Sequence, residues 1–215
     1  MNLMRRFMRV FYNLLYHSFA FTYDLVAATV SFGKWKDWVF SMTPFIEGTR
    51  ILELGHGPGH LQRLLLRRNL FAAAIDESAQ MGTLAKRRIG SAQKLSRALA
   101  QNMPFAAESF DTLIATFPSE YIFDMQTLSE AHRVLRNSGR LIVLLGAWPK
   151  SPILAWLFKV TGESPPEAYE SIKSKIQTVL AHGNFKTEVQ IVEVKSDNLL
   201  VVVAQKEEKN VKKIT

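Results

Sequence analysis

Beyond residue 50 the chain alternates short apolar runs with longer segments in which apolar residues recur at helical spacing. The first, second, fourth and fifth of the short runs are RILEL, FAAAI, FDTLIAT and RLIVLL. Strands that alternate with helices of about 10 to 15 residues are typical of βαβ units. We therefore predict an α/β fold with a seven-stranded, mostly parallel sheet, helices on both faces and an antiparallel C-terminal strand.

The predicted strands cover residues 50–54, 71–75, 94–100, 110–116, 140–145, 188–194 and 198–204. The predicted helices cover residues 60–69, 78–89, 124–135 and 165–182. Ser78 is suited to cap the second helix, and Asn137-Ser138-Gly139 is suited to form a turn before the fifth strand. Ligands of such sheets bind at the carboxyl ends of the strands, so we expect the site just after strands one, two and four.

One domain with an N-terminal helical cap is the predicted organisation, because 215 residues allow one domain with additions rather than two. The predicted boundaries are a cap over residues 1–45, a ligand-binding domain over residues 46–205 and a charged tail over residues 206–215. No apolar run reaches about 18 residues, so we expect no transmembrane helix.

The first 21 residues have an apolar face when placed on a helix, with Arg5, Arg9 and Asn13 away from it. Polar residues interrupt the apolar stretch and no small-residue cleavage site follows, which argues against a signal peptide. We predict a helix that packs as a lid on the domain. A helix that lies at a membrane surface is the alternative.

The chain contains no cysteine, which excludes disulfide scaffolds, thiolate zinc sites and cysteine nucleophiles. This composition fits a reducing compartment, so we predict a cytoplasmic protein. A cytoplasmic protein that binds peripherally to the membrane is the alternative. The net charge of +8 is concentrated, since residues 61–97 carry eight Lys or Arg against two acidic residues. A basic surface attracts nucleic acid, anionic lipid or acidic partners, but a solvated helix surface is the simpler interpretation.

A glycine-rich turn, ELGHGPGH at residues 53–60, stands where the first strand meets the first helix. Glycines let a ligand approach the backbone closely, and a helix N-terminus offers free N–H groups. The turn is neither a P-loop nor the dinucleotide motif, because no Gly-Lys-Ser/Thr follows and the third glycine comes one residue early. Asp76 ends the second strand, at a position where a carboxylate accepts ribose hydroxyls. Together these features indicate a nucleoside-containing ligand.

The order ELGHGPGH, AAIDESAQM, AQNMPFAAESFDTLIATFP and EAHRVLRNSGRLIVL resembles class I S-adenosylmethionine-dependent methyltransferases. The subgroup it resembles is methyltransferase type 11, which includes the ubiquinone and menaquinone C-methyltransferases. The resemblance covers residues 20–148 and includes Tyr23-Asp24 before the first motif. It implies a Rossmann-like fold and S-adenosylmethionine as cofactor.

The resemblance also implies roles for individual residues. Glu53 would support the glycine turn, Asp76 would bind the ribose, and Tyr23 would close over the cofactor. The complete set of implied cofactor-binding residues is Tyr23, Glu53, Gly55, His56, Gly57, Gly59, Asp76, Glu77, Met81, Gln101, Asn102, Met103, Thr116 and Phe117. Leu99 stands where many relatives carry an acidic residue for the adenine amine. The amine would then have to pair with Gln101 or with backbone carbonyls, and an amine left without a partner would weaken cofactor binding.

Methyl transfer needs a base only if the nucleophile must lose a proton. His17 and Tyr121 are the predicted catalytic residues, since histidine titrates near neutral pH and Tyr121 follows the fourth strand. Alternatively, His17 could cap the N-terminal helix or pair with its hydrogen-bonding groups. His56 and His60 lack a third ligand, so we expect no metal site.

Two aromatic or apolar segments, residues 7–38 and 148–169, lie in the sequence on either side of the expected site. They predict a small, apolar acceptor such as a quinone precursor, a lipid or an aromatic metabolite, although aromatics also dominate ordinary cores. Two alternatives remain open: a nucleic-acid methyltransferase, because of the basic charge, and a non-catalytic S-adenosylmethionine-binding protein, because of Leu99. Thr116-Phe117-Pro118-Ser119 is unlike nucleic-acid methyltransferase motifs, and no nucleic-acid partner is expected.

Overall fold

The computed structural model describes residues 34–90, 94–150 and 165–207. The strands are β1 (Arg50–Leu54), β2 (Phe71–Asp76), β3 (Lys94–Arg97), β4 (Phe110–Thr116), β5 (Leu135–Pro149), β6 (Phe185–Val194) and β7 (Asp197–Lys206). The α-helices are α1 (Trp35–Phe40), α2 (His60–Arg67), α3 (Ala79–Ile89), α4 (Met125–Val134) and α5 (Pro165–His182). Short 3₁₀ helices span Thr43–Phe45 and Glu120–Phe123.

The strands form one seven-stranded sheet in the order β3-β2-β1-β4-β5-β7-β6. The pairs from β3 through β5 are parallel, and β7 runs antiparallel to both β5 and β6. The predicted mostly parallel sheet with an antiparallel C-terminal strand is therefore confirmed. The strand order reverses at β1, which places the carboxyl ends of β1, β2 and β4 at the switch point.

Helices cover both faces of the sheet, because alternate residues of each strand point to opposite sides. On β1, Leu52 belongs to the apolar cluster that includes residues of α4 and α5, whereas Ile51 belongs to the cluster that includes residues of α1 and α2. The same alternation continues on β4, where Leu113 and Ile114 lie on opposite faces. The two apolar clusters therefore share the strands as a common middle layer.

Local sequence signals place the helix starts that flank the site. The Ser78 side chain accepts a hydrogen bond from the backbone N–H of Met81 at 3.3 Å, and Asp124 accepts one from Gln126 at 2.8 Å. Both are standard N-cap interactions that satisfy otherwise unpaired donors. The α3 helix begins as predicted, and α4 begins one residue after the expected position because Asp124 is its cap.

The structure differs from the predicted bounds by more than one residue at four strands. β6 begins at Phe185 rather than at residue 188, and β7 spans Asp197–Lys206 rather than residues 198–204. β3 ends at Arg97 rather than at residue 100. β5 begins at Leu135 and includes the predicted turn, because residues 136–139 bulge between the pairs Phe110–Leu135 and Thr112–Arg140. Ser138 adopts a φ of 61° within this bulge, a left-handed conformation that a short polar residue tolerates.

Of the predicted N-terminal cap, the structure describes only residues 34–45, which contain α1 and the 3₁₀ helix after it. Residues 1–33, including His17 and Tyr23, and the apolar segment 151–164 lie outside the described ranges. The domain boundaries at residues 45 and 205 therefore stay predictions. Among the helices that the structure describes, none is both long enough and apolar enough to span a bilayer.

Candidate cofactor site

The glycine-rich turn leaves β1 and crosses over the end of β2. The backbone N–H groups of Gly55 and His56 both donate to the Ile75 carbonyl, at 2.9 and 3.2 Å. Gly57 has a φ of 50°, and a Cβ built on it would meet no atom within 4 Å. The backbone at Gly57 is therefore open to a ligand, in a conformation that favours glycine.

Asp76 fixes the turn from the end of β2. Its carboxylate accepts the Gly57 N–H at 2.9 Å through one oxygen and the Ser78 N–H at 2.8 Å through the other. Asp76 is only 6% exposed, so these hydrogen bonds to a charged group are strong. One carboxylate thus couples the glycine turn to the start of α3.

Glu53 is a buried acid beneath the same turn. Burial is the main cause that raises its pKa from 4.5 to about 8; the hydrogen bond from Gln62 opposes the rise, and the charge of Asp76 adds to it. Gln62 donates through Nε2 to Glu53 at 2.9 Å and to the Ala73 carbonyl at 3.3 Å, while its Oε1 has no partner. Glu53 is therefore a neutral, proton-carrying group near pH 7.

Tyr121 reaches the turn from the segment after β4. Its hydroxyl donates to the Leu54 carbonyl at 3.3 Å, and a Cβ on Gly55 would lie 2.9 Å from the Tyr121 oxygen. The phenol therefore lies directly over the first glycine, which Gly55 permits because it has no side chain. This geometry brings a predicted catalytic residue to the glycine turn.

Phe117 and Trp35 form an aromatic pair at the end of β4. Their rings stack with centroids 4.4 Å apart. Phe117 has a φ of 50°, which is an uncommon conformation for a bulky residue and is characteristic of functional sites. The N–H of Phe117 donates to the Leu144 carbonyl at 2.7 Å, so pairing with β5 holds the strained residue in place.

The β6–β7 turn anchors α1, which carries Trp35. The buried Asp197 accepts hydrogen bonds from Lys34 Nζ at 2.9 Å and from Trp38 Nε1 at 3.0 Å. A second ion pair joins Lys195 to Asp37 at 2.6 Å. Because breaking a buried charged contact is strongly destabilising, this anchor fixes the aromatic wall against the sheet.

A small cleft lies between the glycine turn and α1. Its lining includes Trp35, Glu53, Gly55, Gly57, His60 and Thr116. The cleft therefore combines polar backbone and a buried acid with an aromatic wall, which is the mixture of surfaces found in small-molecule sites.

The loop after β3 lies beside Asp76, because the Ala98 N–H donates to the Asp76 carbonyl at 3.2 Å. Met103 and Met81 are buried, whereas Leu99 is 52% exposed. Gln101 Nε2 lies 3.5 Å from an Asp124 oxygen. Leu99 is thus an exposed apolar side chain at the strand end where the resemblance leads one to expect an acid.

The remaining predicted cofactor residues have varied positions. His56 is buried and its Nδ1 donates to the Gly57 carbonyl at 2.6 Å. Gly59 packs against Ala85, since a Cβ there would lie 3.1 Å from the alanine Cβ. Glu77 and Asn102 are exposed, and the Glu77 carbonyl accepts from Arg97 Nε at 2.9 Å. Across the described ranges, no group of three potential ligands could hold a metal ion.

Gln62 is a residue of this site that the sequence analysis does not predict, although a polar residue on the inward face of an amphipathic helix is a usable signal. Trp35 belongs to the aromatic segment 7–38 that is predicted to form an apolar pocket, but nothing in its sequence context distinguishes it from the other aromatics of that segment.

The strand order, the reversed β7 and a glycine turn coupled to an acid at the end of β2 define a class I methyltransferase fold. A family described as a methyltransferase domain matches residues 52–143. The demethylmenaquinone methyltransferase of Thermotoga maritima is 32% identical over 136 residues, covering 60% of this chain and 59% of that protein. The ubiquinone/menaquinone biosynthesis C-methyltransferase UbiE of Rhizobium meliloti is 30% identical, covering 75% of this chain and 74% of that protein.

The chain belongs to the UbiE-type S-adenosylmethionine-dependent methyltransferases. It spans 59% of the length of the Thermotoga maritima relative. Solved structures show the same fold at low identity. A possible histamine N-methyltransferase of Thermotoga maritima has a TM-score of 0.56 at 16% identity, covering 94% of this chain and 97% of that one. A geranyl diphosphate C-methyltransferase of Streptomyces coelicolor has a TM-score of 0.55 at 12% identity, covering 80% and 79%.

Proposed function

We propose that this protein transfers a methyl group from S-adenosylmethionine to a small, apolar acceptor of the quinone-precursor type. The single observation that supports it most is the coupling of the open Gly57 backbone to the buried Asp76 carboxylate, 2.9 Å apart, beside a cleft with an aromatic wall. The relatives named for demethylmenaquinone and for ubiquinone/menaquinone support the acceptor class.

The residues of the cleft fit the cofactor. Each Asp76 oxygen uses one backbone donor and keeps acceptor capacity for a ribose hydroxyl. The backbone at Gly57 has no atom within 4 Å of a built Cβ, so the amino-acid portion would approach it there, with the Glu53 carboxyl in the lining of the same cleft. Met81 and Met103 would pack on the adenine, Gln101 and Asn102 would lie at its edge, and Tyr23 would close over the site.

The cofactor, when bound, supplies an activated sulfonium methyl group. The protein therefore has to align the acceptor and exclude water. An acceptor atom that carries a proton would need a base to hold that proton once the methyl group is attached. Thr116 and the Trp35–Phe117 stack would form the wall against which an apolar ring is aligned, and Tyr121 or His17 would hold the proton.

Two alternative functions have less support. The hypothesis of a nucleic-acid methyltransferase is supported only by the basic charge of residues 61–97. The hypothesis of a non-catalytic cofactor-binding protein is supported by Leu99, which offers no acceptor to the adenine amine. The aromatic wall beside the glycine turn favours a small apolar acceptor over both, because it offers a place for a second molecule.

The test is a transfer assay with methyl-labelled S-adenosylmethionine and three acceptors. These are a prenylated hydroquinone with a free ring carbon, a polar aromatic amine and a mixed RNA. We expect label in the hydroquinone, with a product heavier by one methylene, and none in the RNA. Transfer to the amine or the RNA instead would overturn the acceptor class. Cofactor binding without transfer to any acceptor would favour the non-catalytic alternative.

Replacing Leu99 with aspartate is expected to tighten binding of S-adenosylhomocysteine about tenfold, because an unpaired adenine amine then gains a charged acceptor. Calorimetric titration measures this change directly. Ile172→Asp is the matched control, since it places the same charge at another partly exposed apolar position, on α5. Unchanged or weaker binding by Leu99→Asp would contradict the assignment of the adenine edge to this loop.

A further inference from the structure

A second groove lies between α1 and α2. It is lined by Lys36, Phe40, His60, Arg63, Leu64 and Arg67. We call these six residues the basic groove. His60 lines both this groove and the cofactor cleft, so the two openings are neighbours on one surface.

In the part of the chain that the structure describes, the three cations of the basic groove, Lys36, Arg63 and Arg67, are not neutralised by carboxylates. Arg63 and Arg67 are one helical turn apart on α2 and are exposed, and Lys36 is exposed on α1. Within the described part of the chain, no carboxylate forms a salt bridge with Lys36, Arg63 or Arg67. The adjacent acid, Asp37, instead pairs with Lys195.

Between these cations the floor of the groove is apolar. Phe40 and Leu64 are partly buried there, against the cluster that contains Leu61 and Leu65. A surface that combines unpaired cations with an accessible apolar floor is complementary to a molecule with an anionic head and a hydrocarbon body. A phosphodiester backbone alone would use the cations and leave the apolar floor without a partner.

We propose that the basic groove docks this protein on an anionic lipid bilayer, with phosphate head groups between Lys36, Arg63 and Arg67. Docking there brings the mouth of the cofactor cleft next to the bilayer, from which an apolar acceptor can enter. The sequence adds three cations close together at Arg5, Arg6 and Arg9. The docking does not require methyl transfer, so its test is independent of the proposed function.

The experiment measures co-sedimentation of the full chain with vesicles of mixed phosphatidylcholine and phosphatidylglycerol, and with vesicles of phosphatidylcholine alone. Each basic side chain near an anionic surface contributes about fivefold to binding. The double variant Arg63→Gln/Arg67→Gln is therefore expected to bind the mixed vesicles about 25-fold more weakly. Lys36→Gln, from the other wall, is expected to weaken binding about fivefold.

The matched control is Lys175→Gln/Lys186→Gln, which removes the same charge at two exposed positions on α5 and β6. We expect it to bind within about twofold of the unmodified protein. Equal weakening by both double variants, or no preference for the anionic vesicles, would overturn the proposal. So would tighter binding to a single-stranded RNA that is lost in Arg63→Gln/Arg67→Gln, because the groove would then be a nucleic-acid surface. Unchanged affinity for S-adenosylhomocysteine confirms that the variants are folded.

Discussion

Replacing Asp76 with asparagine is expected to lower the affinity for S-adenosylhomocysteine at least about a hundredfold. The Asp76 carboxylate accepts the N–H groups of Gly57 and Ser78 through its two separate oxygens. Asparagine has one oxygen, so its amide nitrogen would face one of these donors and leave it unsatisfied. The glycine turn would then lose its fixed position, and a ribose hydroxyl would lose a charged acceptor.

A matched control separates loss of the site from loss of the fold. Asp111 also accepts two backbone N–H groups, from Thr49 at 3.0 Å and Arg50 at 2.9 Å, both through one oxygen, while its other oxygen accepts from Arg136 at 2.9 Å. It lies near the amino end of β4, whereas the cofactor site lies at the carboxyl ends of the strands. Asp111→Asn is expected to lower the free energy of unfolding while leaving the affinity for S-adenosylhomocysteine unchanged. Calorimetric titration and denaturant unfolding of both variants measure the two effects. An affinity of Asp76→Asn within about threefold of the unmodified protein would contradict the assignment.

The junction of β2 and α3 is predictable from the sequence because its determinants are local. Asp76 ends an apolar run and Ser78 is a strong N-cap residue, so a strand end and a helix start are specified within three positions. The strand order follows in part from the same logic, since βαβ units restrict the topology. The extent of β5 is less predictable, because Asn137-Ser138-Gly139 has turn composition whether it closes a turn or bulges within a strand.

The candidate site is only partly predictable, because its remaining contacts join residues that are distant in sequence. Trp35 meets Phe117 only because Asp197 anchors α1 from the β6–β7 turn. The contact of Gln62 with Glu53 depends on the rotation of α2 against β1, which an apolar pattern fixes only approximately. Residue types therefore predict which residues would bind the cofactor, whereas the aromatic wall and the buried proton depend on tertiary packing.

That buried proton makes the stability of this protein depend on pH through Glu53. In the folded protein burial holds the pKa of Glu53 at about 8, against 4.5 as its ordinary value. Between these two pH values the folded state binds more protons than the unfolded state, so the free energy of unfolding decreases as the pH rises. The full decrease is reached above about pH 8 and amounts to about 5 kcal/mol at most.

Glu53→Gln removes this dependence, because a glutamine at this position has no proton to lose. We expect the variant to gain stability relative to the unmodified protein as the pH rises from 5 to 9, by several kcal/mol at the upper limit. Urea unfolding across this range measures the difference. The amide can still meet Gln62, so a cavity does not obscure the comparison.

Glu130→Gln is the control, because the pKa of Glu130 is shifted in the direction opposite to that of Glu53. The hydrogen bond from Arg133 lowers the pKa of Glu130, so its contribution to stability is present above its ordinary pKa and is lost only as the pH falls through the lowered value. Between pH 5 and 9 the loss in free energy of unfolding caused by Glu130→Gln should therefore stay constant. The difference in free energy of unfolding between Glu53→Gln and the unmodified protein should change over the same range. A constant difference for Glu53→Gln as well would mean that Glu53 is already ionised at pH 5. The acid beneath the glycine turn would then be a permanent anion, and the cleft would attract a cationic ligand without releasing a proton.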